Sequence, residues 1–156
     1  MTIGTSRRTE DVLELCEQIE LACAELYHYF SDLFKSEREN MRLWLKTAME
    51  EENHARQFNL IAKLKRQKII DSIHIDPVDA EITLIYIGSL IEKIKKAPPT
   101  QKEALQLAIN LENKMAAFHV NNVIKFADAS YETIFYAISQ TDSKHLESLQ
   151  EAYDRL

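Results

Sequence analysis

At 156 residues the chain is long enough for one domain with its own apolar core, and 46% hydrophobic against 28% charged residues is an ordinary globular balance. Two glycines and three prolines are too few to punctuate a β protein, whose strands need frequent turns, so all-β folds are excluded and an all-α chain is expected. A formal net charge of −6 argues against a nucleic-acid partner.

A first helix is predicted over 9–35. Thr9 can cap it, and Glu10 and Asp11 fall in the first turn, where the helix dipole favours negative charge. No apolar run follows Arg7 and Arg8, so the start does not read as a secretory signal. Cys16 and Cys23 lie two turns apart, roughly 10 Å of rise. That is too far for a disulfide with each other, and they read as buried thiols. No CxxC pair exists to suggest a rubredoxin-type iron centre or a zinc ribbon.

A second helix is predicted over 36–68, opened by a Ser36/Glu39 capping box and closed by Lys- and Arg-rich turns. So short a connection makes the first two helices antiparallel neighbours. Residues 69–76 read as an extended link ending in Asp76-Pro77, a cap followed by a first-turn proline. A crossover helix covers 77–97 and stops at Pro98-Pro99. Its most apolar stretch, 82–91, contains Thr83, Gly88 and Ser89 and is too short to span a bilayer, so a cytoplasmic chain with no membrane partner is expected. Thr100 and Glu103 form a second capping box for a helix over 100–127. A last helix is expected over 130–156, and Ser139-Gln140-Thr141-Asp142-Ser143 is poor enough helix material to bend or restart it. Residues 1–156 thus form a single domain of two helical hairpins joined by a helix-containing crossover.

Each long helix carries one apolar stripe at three- and four-residue spacing. The first has Leu13, Cys16, Cys23, Tyr27, Phe30 and Phe34; the second has Met41, Leu45, Ala48, Ala55, Phe58 and Ala62. The helix over 100–127 has Leu105, Ala108, Ile109, Met115, Ala116, Val123 and Phe126; the last has Ile134, Phe135, Ile138, Leu149, Ala152 and Tyr153. Six polar residues interrupt these stripes: Glu20, Glu51, His54, Glu112, Asp142 and His145. A buried ionised carboxylate costs several kcal/mol even after relaxation. Four in one core require cations or protons, and two divalent metal ions balance them, leaving two neutral imidazoles.

Glu51/His54 and Asp142/His145 share the acid-x-x-His spacing that sets both side chains on one helix face. Two further matches fail on phase or position: Glu25/His28 points away from the stripe, and Asp71/His74 sits in the link. The pattern also repeats internally. Glu20 to Glu51 is 31 residues and Glu112 to Asp142 is 30, so the second hairpin restates the first. Other readings stand beside this one. Glu20 and Glu112 can pair with a buried base, His54 and His145 can be hydrogen-bonded core histidines, and Asp142 can cap a restarted helix. Tyr27 is either a redox or hydrogen-bonding neighbour of the site or a core tyrosine, and Trp44 is packing or a dimer surface.

The chain resembles the rubrerythrin branch of the ferritin-like family over nearly all its length. The resemblance rests on Ile19-Glu20 to Tyr27, Glu51-Glu52-Asn53-His54, Ala108-Ile109-Asn110-Leu111-Glu112 to Phe118, and Asp142-Ser143-Lys144-His145-Leu146, with the crossover helix and a closing Leu-x-x-Ala-Tyr-x-x-Leu. It implies a ferritin-like four-helix bundle and two iron ions (manganese or zinc in their place) held by Glu20, Glu51, His54, Glu112, Asp142 and His145. It further implies peroxide reduction or ferrous-iron oxidation, and a homodimer. Three features depart from the family. Asp142 stands where Glu is usual, Ile109 and Met115 replace an extra carboxylate, and no rubredoxin domain is present, so an external electron donor is expected. A non-enzymatic metal store and a degenerate helical interaction module are the alternatives.

Overall fold

Helices form the body of the molecule, as the scarcity of breakers requires. The computed structural model describes the backbone of residues 4–68, 70–121, 123–126 and 132–156, and side chains over 12–68, 75–118 and 143–156. The helices are α1 (Gly4–Leu33), α2 (Arg38–Arg66), α3 (Pro77–Lys96), α4 (Gln101–Asn121) and α5 (Glu132–Asp154). Helix α1 packs along α2 and against α3, α4 pairs with α5, and α5 also meets α2. Among the described residues no helix is long and apolar enough to cross a membrane.

Two of the expected caps are present. Asp76 Oδ1 accepts the Val78 N–H at 2.9 Å, with Pro77 at the first helical position. At the start of α4 the Glu103 N–H donates to Thr100 Oγ1 (3.2 Å), while the Thr100 N–H donates to Glu103 Oε2 (3.4 Å), a reciprocal capping box. The other two are corrected. Helix α1 begins at Gly4, so Thr9 lies inside it. The Ser36/Glu39 box does not form: Ser36 belongs to the preceding turn, α2 starts after Glu37, and the Glu37 carboxylate accepts from the Asn40 side chain instead.

The predicted helix over 100–127 is also too long. Helix α4 stops at Asn121, and β2 (Val123–Phe126) pairs antiparallel with β1 (Ile70–His74), matching Ile73 with Ile124 and His74 with Val123. The ribbon links the segment after α2 to the segment after α4. β-Branched residues on both strands favour it over one more helical turn. Helix α5, in contrast, runs unbroken through 139–143.

Two apolar clusters fill the interior. Val12, Leu13, Cys16, Phe58, Ile61, Leu64 and Ile75 form one. Ile19, Cys23, Leu26, Tyr27, Phe30, Trp44, Ala48, Leu105, Leu111 and Leu149 belong to the other. Trp44 is fully buried while Leu45 is 39% exposed, so the stripe of α2 is rotated by one residue there from its expected phase. Both cysteines are buried and free. Along α2, Glu51 and His54 lie between Ala48 of one cluster and Phe58 of the other, which sets the polar residues at mid-length.

Candidate metal centre

Each fully buried Leu, Ile or Phe contributes on the order of 1.5–3 kcal/mol, so several uncompensated buried charges would undo a large part of this core. Glu20, Glu51, His54, Glu112 and His145 are nevertheless all 3% exposed or less. They converge. His54 Nδ1 lies 3.2 Å from Glu51 Oε2 and 3.5 Å from Glu20 Oε2. His145 Nδ1 lies 3.2 Å from Glu51 Oε1 and 3.7 Å from Glu112 Oε2. Glu51 therefore offers one oxygen to each imidazole, and the two rings stand 5.7 Å apart.

The arrangement comprises two overlapping groups, Glu20–Glu51–His54 and Glu51–Glu112–His145, each with its donor atoms within 4.8 Å of one another. Four helices supply them: Glu20 from α1, Glu51 and His54 from α2, Glu112 from α4 and His145 from α5. The i, i+3 spacing in α2 brings Glu51 and His54 onto one face.

Tyr27 completes the wall on the Glu112 side. Its hydroxyl donates to Glu112 Oε1 at 2.6 Å, and its ring stacks on Trp44 at 5.7 Å between centroids. The Trp44 indole N–H in turn donates to Gln101 Oε1 at 2.9 Å. Trp44 is thus packing, and Tyr27 is both a core residue and a hydrogen-bonding neighbour of the site. Glu112 Oε2 accepts no hydrogen bond among the described residues. A buried carboxylate oxygen in that state is available to a cation.

The remaining residues singled out from sequence fall elsewhere. Glu25 is exposed and paired with Lys95 (3.1 Å), and His28 pairs with Glu52 at the surface, as their phase predicted. The side chains of Asp71 and His74 lie outside the described residues, as does that of Asp142. The unbroken path of α5 removes the restart that Asp142 would have capped. Sequence reasoning missed Glu50, whose carboxylate lies against His145 Nε2 on the side of the ring away from Glu51. Its signal is weak: it flanks the apolar stripe instead of interrupting it, in a run of three consecutive glutamates.

Electrostatics show how the described group balances itself without metal. Burial works against charge on His54, but hydrogen bonding and attraction to Glu20 and Glu51 prevail and push its pKa up to about 10. For His145, burial is likewise outweighed by Glu112, Glu50 and Glu51, and the pKa rises to about 12. Burial and the nearby Glu51 charge raise Glu112 above the usual carboxylate range. Burial opposes ionisation of Glu50, yet His145 holds its carboxyl below the ordinary value. Burial and then Glu20 raise the Cys16 thiol, which keeps it protonated in the metal-free protein. Protons on the imidazoles thus occupy the role that cations can take. Carboxylates and imidazoles together suit iron, manganese or zinc, and the residues present fit such ions.

Fold and site define a class: an all-α protein whose buried Glu and His groups can hold a metal ion. Comparison with models of known families, with curated proteins and with solved structures finds no match.

Proposed function

We propose that the chain is a ferritin-like di-metal protein, similar to the rubrerythrin branch, in which Glu20, Glu51, His54, Glu112 and His145, joined by Asp142, hold two iron ions. The observation that carries this reading is Glu51, whose two oxygens each face a different histidine. One carboxylate shared by two ligand groups is the feature of paired-metal sites built inside four-helix bundles.

Each residue then has a defined task. Glu51 would offer one oxygen to each ion. His54 and His145 turn Nδ1 inward and give up their protons on loading, since only neutral imidazole ligates. Tyr27 fixes Glu112 through Oε1 and leaves Oε2 free to ligate. The Tyr27, Phe30 and Trp44 rings, all fully buried, keep water from that flank. Bound iron would supply the electron transfer that reduces peroxide or oxidises ferrous iron. An external electron donor and a cytoplasmic homodimer belong to the same reading.

Anaerobic titration with ferrous iron is expected to reach about two ions per chain; a stoichiometry near zero would end the proposal. Steady-state consumption of peroxide with an added reductant distinguishes an oxidoreductase from a metal store built on the same ligands.

A further inference from the structure

We propose that Glu50 is a positioning residue for His145: its carboxylate holds the proton on Nε2 of the buried ring, so that Nδ1 is the nitrogen that ligates when a cation enters beside Glu51 and Glu112. The inference rests on the metal-centre reading and concerns a residue outside its ligand set.

A carboxylate stands against each ring nitrogen, but the two surroundings differ. Nδ1 of His145 faces Glu51 Oε1 at 3.2 Å and Glu112 Oε2 at 3.7 Å, while Nε2 lies against Glu50 Oε2. A neutral imidazole has one N–H and one lone pair, so on loading one nitrogen keeps its proton and the other ligates. Nδ1 faces Glu51 and Glu112, where the donor atoms of a three-residue group converge, so it is the nitrogen a cation would take, and Glu50 is placed to keep the proton on Nε2. The opposite tautomer would aim an N–H at Glu51, where a cation has to sit.

Glu50 and Glu51 are consecutive on α2, about 100° apart around the helix axis, and so reach opposite edges of a ring presented by α5. Their surroundings differ. The Glu51 side chain is 4% exposed and that of Glu50 29%, so Glu50 keeps water on one side and its charge is cheaper to hold. Lys46, one turn earlier on α2, adds a favourable charge. An outer carboxylate that orients a ligating histidine is a recurrent device, and its loss weakens metal binding by about 10–100-fold.

The test uses the full chain, zinc alone and histidine labelled with nitrogen-15. In the unsubstituted protein, His145 is expected to bind zinc through Nδ1 with Nε2 protonated. Glu50→Ala should weaken zinc at the Glu51–Glu112–His145 group by about 10–100-fold and mix the His145 nitrogen signals, leaving His54 unchanged. Glu50→Gln, whose amide oxygen still accepts from Nε2–H, should stay within a few-fold of the unsubstituted protein. Alanine is the best helix former and the position is partly exposed, so both variants are expected to fold. Unaltered affinity and His145 signals in Glu50→Ala would overturn the inference, as would Glu50→Gln binding as weakly as Glu50→Ala. If the unsubstituted protein takes up no zinc, the metal-centre reading itself has failed.

Discussion

Replacing Glu51 by Gln changes one atom and removes one charge, and the structure makes it the most revealing substitution in the molecule. Glu51 is the residue common to both ligand groups, with an oxygen 3.2 Å from each histidine Nδ1. In the metal-free protein the variant leaves two buried imidazoles short of a counter-charge. Breaking a buried ion pair from one side costs about 3–5 kcal/mol, and proton loss from the histidines limits the damage to that range. For a chain of this size each kcal/mol moves the midpoint roughly 2–4 °C, so calorimetry should record a fall of about 6–20 °C. Metal binding discriminates further. Glu51→Gln should weaken both ions, whereas Glu20→Gln should weaken only the one beside His54 and Glu112→Gln only the one beside His145. If Glu51→Gln leaves either ion bound as in the unsubstituted protein, the shared-carboxylate geometry is wrong.

Other consequences are equally open to measurement. Because His54 and His145 have pKa values raised to about 10 and about 12, both are protonated near neutrality, and metal loading should expel two imidazole protons. Calorimetric titration in buffers of different ionisation enthalpy counts them, and a count of zero would contradict the assignment. Since these folded-state values lie above the unfolded value of about 6.5, their stabilisation is complete below pH 6.5 and is lost as pH rises, through about 10 for His54 and about 12 for His145. Glu112, raised likewise, acts in the same direction. Melts of the metal-free protein should therefore fall between pH 7 and 10.5, and a flat profile would refute this. Tyr27→Phe strands Glu112 Oε1 and should cost about 1–3 kcal/mol in denaturant unfolding. Thr100→Ala removes the cap of α4 and should cost about 1 kcal/mol by the same assay.

Much of the site was legible because its residues violate the pattern around them. Glu20 between Cys16 and Cys23, or Glu112 between Ala108 and Met115, is conspicuous on an apolar stripe, and burial of all four neighbours confirms the phase. Caps at Asp76 and Thr100 were legible for a related reason, since side-chain oxygen and backbone N–H stand at fixed sequence distance. The end of α4 was not. Val123 and Phe126 fit a helical stripe as well as a strand, and the choice was made by a partner strand some fifty residues away. Ser36 misled because the turn after α1 runs through it and α2 begins only at Arg38. Glu50 was hidden since its importance comes from α5, which reaches it across the bundle and cannot be inferred from α2 alone.

The central claim is that Glu51 stands between two metal ions. Anomalous diffraction from crystals loaded with manganese tests it most directly. Two peaks are expected, one beside Glu20 and His54 and the other beside Glu112 and His145, with the Glu51 carboxylate touching both. An interior without peaks, or with metal confined to surface carboxylates, would contradict the account.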